Sequence, residues 1–392
     1  KQHHDMEQSE RYVDKLAKYI LAAAGIGIIC AICWFFRSVI IYILAAVVVS
    51  LIAKPVMGGL QKIRIKGKKA PDWFLAAFSL TLVITVILSI LTLIIPITSG
   101  ILKGISFGSI ENAASQISVP LANLNDFLKN TFPQLGSGFR IEMTLTQELQ
   151  KLFGASAISS IIGSATSFLT DLGIGLFSVV FIGFFFIKDD GLFTEIICAL
   201  VPDKHEKNTE KAISDIGHLL SRYFIGVMIE VCGVALLNFL GLLLIARMGF
   251  NTAIGIAFLT GILNIIPYVG PLMGGVLGTL LCLILKYSSI TPIGLDVSFW
   301  MFTAILVAIF GFTQLVDNFL YQPVIYSTSI KSKPLEIFIV LLIVGHIGGP
   351  LSMIVAIPCY TVVRVIAFRF FRHIKAIRRL IPSERLITGD TE

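Results

Sequence analysis

The sequence predicts an all-α polytopic membrane protein with about eight membrane segments, two of them interrupted or re-entrant hairpins, and a small helical outer domain. Three observations carry this. Of 392 residues, 56% are hydrophobic and only 14% charged, and the mean hydropathy is +0.88, whereas soluble domains carry roughly 25% charged residues. Six uninterrupted apolar runs are long enough to span a bilayer. Two further apolar stretches, Thr252–Lys286 and Glu336–Ile366, are broken near their middles by Gly and Pro.

In chain order, Met6–Lys18 is polar and reads as a short cytoplasmic helix. It leads into runs at about Tyr19–Phe36, Ser38–Ala53 and Trp73–Ile97, which complete an N-terminal unit over 1–99. Residues 100–154 form an extracytoplasmic helical region, in which Pro120 suits a first turn and Thr144 with Gln147 makes a capping box. With roughly 50 residues it holds little core alone. Ala155–Ser167 is rich in small residues and introduces the fourth run, Phe168–Ile187; Gly173, Gly175 and Gly183 there let helices approach closely. Over 188–222, Ile213, Ile216, Leu219 and Tyr223 recur at helical spacing and predict a cytoplasmic amphipathic helix. A transport core follows over 223–366, with plain runs at Tyr223–Ala246 and Phe299–Leu320 beside the two interrupted stretches. A basic tail, 367–392, closes the chain.

The interrupted stretches are the wrong length for simple spans. As a single helix, the 35 residues of Thr252–Lys286 would reach about 52 Å, against a hydrocarbon core of about 30 Å, while each half falls short of it. Re-entrant hairpins or broken helices remain. Irregular backbone survives inside a bilayer only where protein or a water-filled cavity satisfies its peptide groups, so paired interruptions point to a transport site. The first is shaped by Pro267, Gly270 and Pro271, the second by Gly345, His346, Gly348, Gly349 and Pro350.

The net charge of +7 is a topology signal and not a nucleic-acid one. Lys54, Lys62, Arg64, Lys66, Lys68 and Lys69 crowd one connection, and Arg364, Arg369, Arg372, Lys375, Arg378 and Arg379 follow the last apolar stretch. The positive-inside rule makes both regions, and with them both termini, cytoplasmic. No cleavable signal peptide is read at the start, and Lys1–Asp5 ahead of Met6 reads as a truncated start or an added scar. The six cysteines lie in or beside apolar segments, and Cys30 with Cys33, lacking a second ligand pair, reads as packing and not as a metal site. No cofactor motif is found. Walker, HExxH and GxSxG motifs are absent, which argues against an enzyme and against ATP-driven pumping.

Ionisable groups inside spans are costly and are functional candidates by default. Asp317, in the stretch Gln314 to Pro323, leads: a carboxylate beside an amide coordinates a cation, accepts a proton or binds a polar solute. Gln314 and Asn318 join it as candidates, with Glu230 two turns into its run, Asn238 two turns further on the same face, and Asn264 in the first interruption. The bland alternatives are a helix-end Asp317 bonded to backbone freed by Pro323, and a Glu230 paired with a structural Arg. Asp171 and Arg247 fall near predicted outer ends and read as structural. A lone His346 is more often scaffold than proton relay.

These residues resemble the AI-2E family of bacterial inner-membrane proteins, relatives of the autoinducer-2 exporters and PerM-like permeases. The resemblance rests on Phe184–Gly191 after the fourth run, on Asn264 to Pro271, on Asp317-Asn318 to Pro323 with Lys333-Pro334-Leu335, and on Gly345 to Pro358. It implies a homo-oligomer in the bacterial inner membrane that exports a small polar solute such as autoinducer-2, or exchanges sodium or lithium for protons. Its partners would be the lipid bilayer and that solute or a monovalent cation. Many relatives carry an acidic residue before the Asn of the first interruption, where this chain has Leu263, which leaves Asp317 and Glu230 as the carboxylates. A membrane scaffold without transport is the alternative from another class.

Overall fold

A computed structural model describes residues 31–62, 70–104, 175–189, 191–288, 293–325 and 334–372, with isolated positions at 20, 24, 25, 27, 28, 125, 126, 130, 163 and 374. The expected Met6–Lys18 helix, most of the first run, nearly all of the 100–154 outer region, Asp171 and most of the basic tail lie outside the described residues.

Every described element of regular structure is a helix: α1 Arg37–Gln61, α2 Asp72–Gly104, α3 Gly175–Lys188, α4 Leu192–Ala199, α5 Asp203–Leu240, α6 Phe250–Leu263, α7 Val269–Ser288, α8 Phe299–Val316, α9 Gln322–Ile325 and α10 Pro334–Phe370. Two π turns interrupt the α geometry, Gly241–Ile245 after α5 and Asp317–Tyr321 between α8 and α9. Six described segments are long and apolar enough to cross a membrane, among them Asp203–Ile245, Val269–Tyr287, Phe299–Ile325 and Ser352–Phe370. Large apolar side chains such as Leu236, Phe312, Leu315 and Phe319 face outward, as lipid-facing surfaces require.

The sequence separates an amphipathic arm over 188–222 from a span beginning at Tyr223. In the structure α5 runs unbroken for 38 residues, about 57 Å at 1.5 Å per residue, because neither Gly-Pro punctuation nor a cap intervenes at Arg222. It starts after Pro202 with Asp203 and Glu206 in its first turn, where negative charge complements the helix dipole. Its polar end is fastened to the end of α10: Arg369 Nε and Nη2 donate to Asp215 Oδ2 at 2.9 and 2.5 Å, over an apolar cluster of Ala212, Leu219, Val365 and Phe368. We call this the arginine end and the opposite end the far end.

The first interruption folds α6 and α7 into hairpin 1. The arms pack so closely that a Cβ on Gly270 would lie 1.9 Å from the Leu263 carbonyl oxygen, so only glycine fits the neck. At the far end Leu295 N–H donates to Ala246 O at 2.9 Å, and Lys286 Nζ donates to Leu295 O at 2.5 Å while lying 3.8 Å from the Phe302 ring centroid. A core of Leu242, Met248, Ile256, Leu281, Phe302 and Leu306 fills the space beneath.

The second interruption folds α10 on itself as hairpin 2. Tyr360 Oη donates to Glu336 Oε2 at 2.8 Å, whereas 24 residues of straight helix would hold them about 36 Å apart. Gly349 makes the bend with φ 72° and ψ −170°, open to glycine alone. Ser352 Oγ donates to Val344 O and Gly349 O at 2.8 and 2.6 Å, satisfying carbonyls freed at the turn.

The two hairpins point in opposite directions. Hairpin 1 opens at the far end and its tip descends to Glu230 of α5. Hairpin 2 opens at the arginine end, its second arm running along α5 from Asp215 toward Tyr223. A separate bundle of α1, α2 and α3 is held by Ala53, Met57, Leu75, Ala76, Leu80, Val83 and Ile187. It joins the core where Ser221 Oγ of α5 donates to Leu51 O of α1 at 2.8 Å.

Candidate functional site

The helix α5 presents Glu230, Val234 and Asn238 at i, i+4 and i+8, one buried stripe. Against it lie α6 and its C-cap residue Asn264 on one side and the α8–α9 segment on the other. Close approach is possible because glycines face that segment: Gly226 meets Ile325, Gly233 meets Tyr321 and Gly241 meets Ile309. The three contacts run antiparallel and lay the Glu230 stretch of α5 against the Asp317–Gln322 stretch.

Both carboxyls are buried, Glu230 at 3% exposure and Asp317 at 0%, and they stand within hydrogen-bonding reach of each other. Each also takes one amide donor. Asn264 Nδ2 donates to Glu230 Oε1 at 3.1 Å, and Gln322 Nε2 donates to Asp317 Oδ2 at 2.7 Å. Two turns further along α5, Asn238 Nδ2 donates to Thr260 Oγ1 at 2.9 Å, and Thr260 Oγ1 donates to Ala257 O at 2.9 Å.

The π turn places this second donor. In an α-helix residues i and i+5 diverge by about 140°, whereas a π turn, with i→i+5 bonding, brings them onto one side. So Gln322 and Ile325 are buried while Phe319, Leu320 and Val324 are exposed. Pro323 supplies a cause: it has no N–H for the carbonyl four residues back and its ring crowds that carbonyl, which opens the helix upstream.

Among the described residues, four buried oxygens of this region accept no hydrogen bond: Asn238 Oδ1, Asn264 Oδ1, Gln314 Oε1 and Asp317 Oδ1. All are acceptors. Two like unit charges about 4 Å apart at an effective dielectric near 20 repel by about 4 kcal/mol, so two ionised carboxylates held this close oppose one another strongly. The pair therefore needs a proton or a cation between its oxygens, and the surrounding acceptors call for a ligand with positive charge or several hydroxyl donors.

The sequence candidates Asp317, Glu230, Asn264 and Gln314 thus fall in one region. Asn318 does not join them: it is exposed, because residues i and i+1 of a helix do not share a face. His346 is exposed on hairpin 2. Pro267 sits in the tip of hairpin 1, and Pro271 occupies the first turn of α7, where its missing N–H costs nothing. Gly345 lies where a Cβ would meet the Met353 side chain, and Gly348 where it would meet Ser352, the arm-to-arm contact of hairpin 2; Pro350 follows its bend. Sequence reasoning missed Gln322, Thr260 and Tyr321. The signal for Gln322 was Pro323, read there as a helix end and not as the source of a register shift. An apolar groove lined by Ala77, Leu80, Thr81, Phe177, Val180, Phe181 and Phe184 lies between α2 and α3. It shares no residue with the polar region, and its aromatic rings suit a lipid chain better than a polar ligand.

Comparison with known proteins agrees with the architecture. The family described as AI-2E family transporter matches over residues 25–371. A Bacillus subtilis (strain 168) protein named "Putative transport protein YueF" is 29% identical over 240 residues, covering 61% of this chain and 60% of the relative. A second from the same organism, "Putative transport protein YrrI", is 24% identical over 195 residues, covering 50% of this chain and 51% of the relative. The chain thus spans between half and two thirds of the length of the relatives it matches.

Proposed function

The chain belongs to the AI-2E transporter family, and from that premise we propose that it is a secondary transporter exporting a small polar solute, with proton or cation coupling through Glu230 and Asp317. One observation carries this reading: two buried carboxyls in mutual contact, each steadied by one amide. A hydroxyl-rich solute of the autoinducer-2 kind meets the donor requirement of the unfilled oxygens. In this reading the arginine end faces the bacterial cytoplasm, supported by Lys54, Arg369 and Arg372 through the positive-inside rule. Self-association rests on the family resemblance and is read by native mass spectrometry.

Reconstituted protein tests the assignment. Asp317→Asn and Glu230→Gln should each lower coupled flux of autoinducer-2 at least tenfold, while Asn318→Ala, on the exposed side, leaves it unchanged. Normal flux in both carboxyl variants would sink the site.

Sodium or lithium exchange for protons is the second reading, favoured by three donor-free amide oxygens beside a carboxyl pair that carries a fourth on Asp317, a hard-oxygen set suited to a small cation. In inverted vesicles, sodium-dependent recovery of a quenched pH dye that disappears in Asp317→Asn supports it; silence across sodium and lithium rejects it.

A further inference from the structure

The tip of hairpin 1 is pinned on two sides. Asn264 donates to Glu230 on α5, and four residues later the Tyr268 ring stands edge-on to Phe338 in the first arm of hairpin 2, centroids 5.8 Å apart and planes at 87°. Between these contacts the backbone takes a costly path. Tyr268 has φ 65°, a left-handed conformation that a bulky residue holds only where surrounding contacts over-determine it. Such strain collects at clamps and switches. Neither arm can yield in its place, since Gly270 leaves no room at the neck.

The latch on Glu230 senses what the carboxyl pair holds. A bond to a charged carboxylate is roughly twice as strong as one to a neutral acid, so an occupant that neutralises Glu230 weakens the Asn264 tether. With one anchor loosened, the strain at Tyr268 favours release of the other. We propose that the Asn264–Tyr268 tip is a gate over the carboxyl pair, latched to α5 by Asn264 and to hairpin 2 by Tyr268 on Phe338. It opens when the occupant of the pair changes. This inference rests on the transport reading above.

The test uses full-length protein with its six cysteines replaced by alanine, carrying Tyr268→Cys and Phe338→Cys, in proteoliposomes. A short bis-methanethiosulfonate bridges the two thiols, and a reductant releases them. Efflux of preloaded autoinducer-2 and sodium-driven proton flux are both read. Bridging should lower whichever flux the cysteine-free parent shows at least tenfold, with recovery on reduction and no effect in either single-cysteine protein. Equal flux bridged and released overturns the gate while leaving the transport reading standing. If the reduced double variant is inactive, alkylation of Tyr268→Cys alone by N-ethylmaleimide decides: a threefold or greater change between sodium-free and sodium-loaded vesicles supports the gate, and equal rates overturn it. Silence of both wild type and cysteine-free parent toward autoinducer-2, sodium and lithium removes the transport reading, and the gate with it.

Discussion

At the residue scale, the polar region divides into groups that were visible in the sequence and one that was not. Asp317, Glu230 and Asn264 stood out because a polar group in an apolar run is expensive. Gln322 stood out less, because its partnership with Asp317 depends on a local change of helical pitch that periodicity does not encode. Gln322→Met keeps length and removes the donor, leaving a second Asp317 oxygen buried without a bond. The expected cost is about 1–3 kcal/mol, read as a lowered Tm in detergent, and an unchanged Tm would mean that solvent or another donor replaces Gln322. Gly233 is decided by sterics: a Cβ there would lie 2.3 Å from Tyr321 Oη, and the ring stem is stiff. Gly233→Ala should destabilise by about 1–3 kcal/mol through overpacking, and Tyr321→Leu in the same protein should recover much of it in the same melting measurement.

At the scale of elements, the interrupted stretches were legible as wrong lengths, but not as hairpins of opposite sense. Length arithmetic excludes a single span and leaves the choice between broken helix and re-entrant loop to contacts such as Tyr360 with Glu336, which join residues far apart in sequence. The junction at Arg222 went the other way: polarity changes there, yet nothing stops the helix, so arm and span are continuous. The π turn makes a sharp prediction. Deleting exposed Phe319 should convert the turn to α-helix while keeping Gln322 and Ile325 inward, at i+4 and i+7 from Asp317. The shortened protein should fold with a Tm within a few degrees of the parent. Collapse of folding would show that the extra residue holds more than register.

At the scale of the molecule, the all-α membrane class follows from composition and run lengths, because a bilayer allows few ways to satisfy backbone hydrogen bonds, while the family follows from motifs such as Asn264 to Pro271 and Asp317 to Pro323. The arrangement of the core does not follow, since it is fixed by glycine contacts and buried amides whose partners are unreadable one residue at a time. Sidedness is testable directly. An impermeant maleimide should label Lys204→Cys, in the polar stretch of α5, in inverted vesicles and not in right-side-out ones, and the reverse pattern would invert the topology.

The unbroken length of α5 has a mechanical consequence. A stiff rod about 57 Å long overshoots the membrane by nearly half its length, and its overhang is strapped by Asp215 to Arg369. Any molecule that leaned on that overhang would tilt the whole rod, and with it Glu230, which sits beyond the middle of α5 toward the far end. The protein thus carries, on the same rigid helix as its buried Glu230, a polar handle at the arginine end.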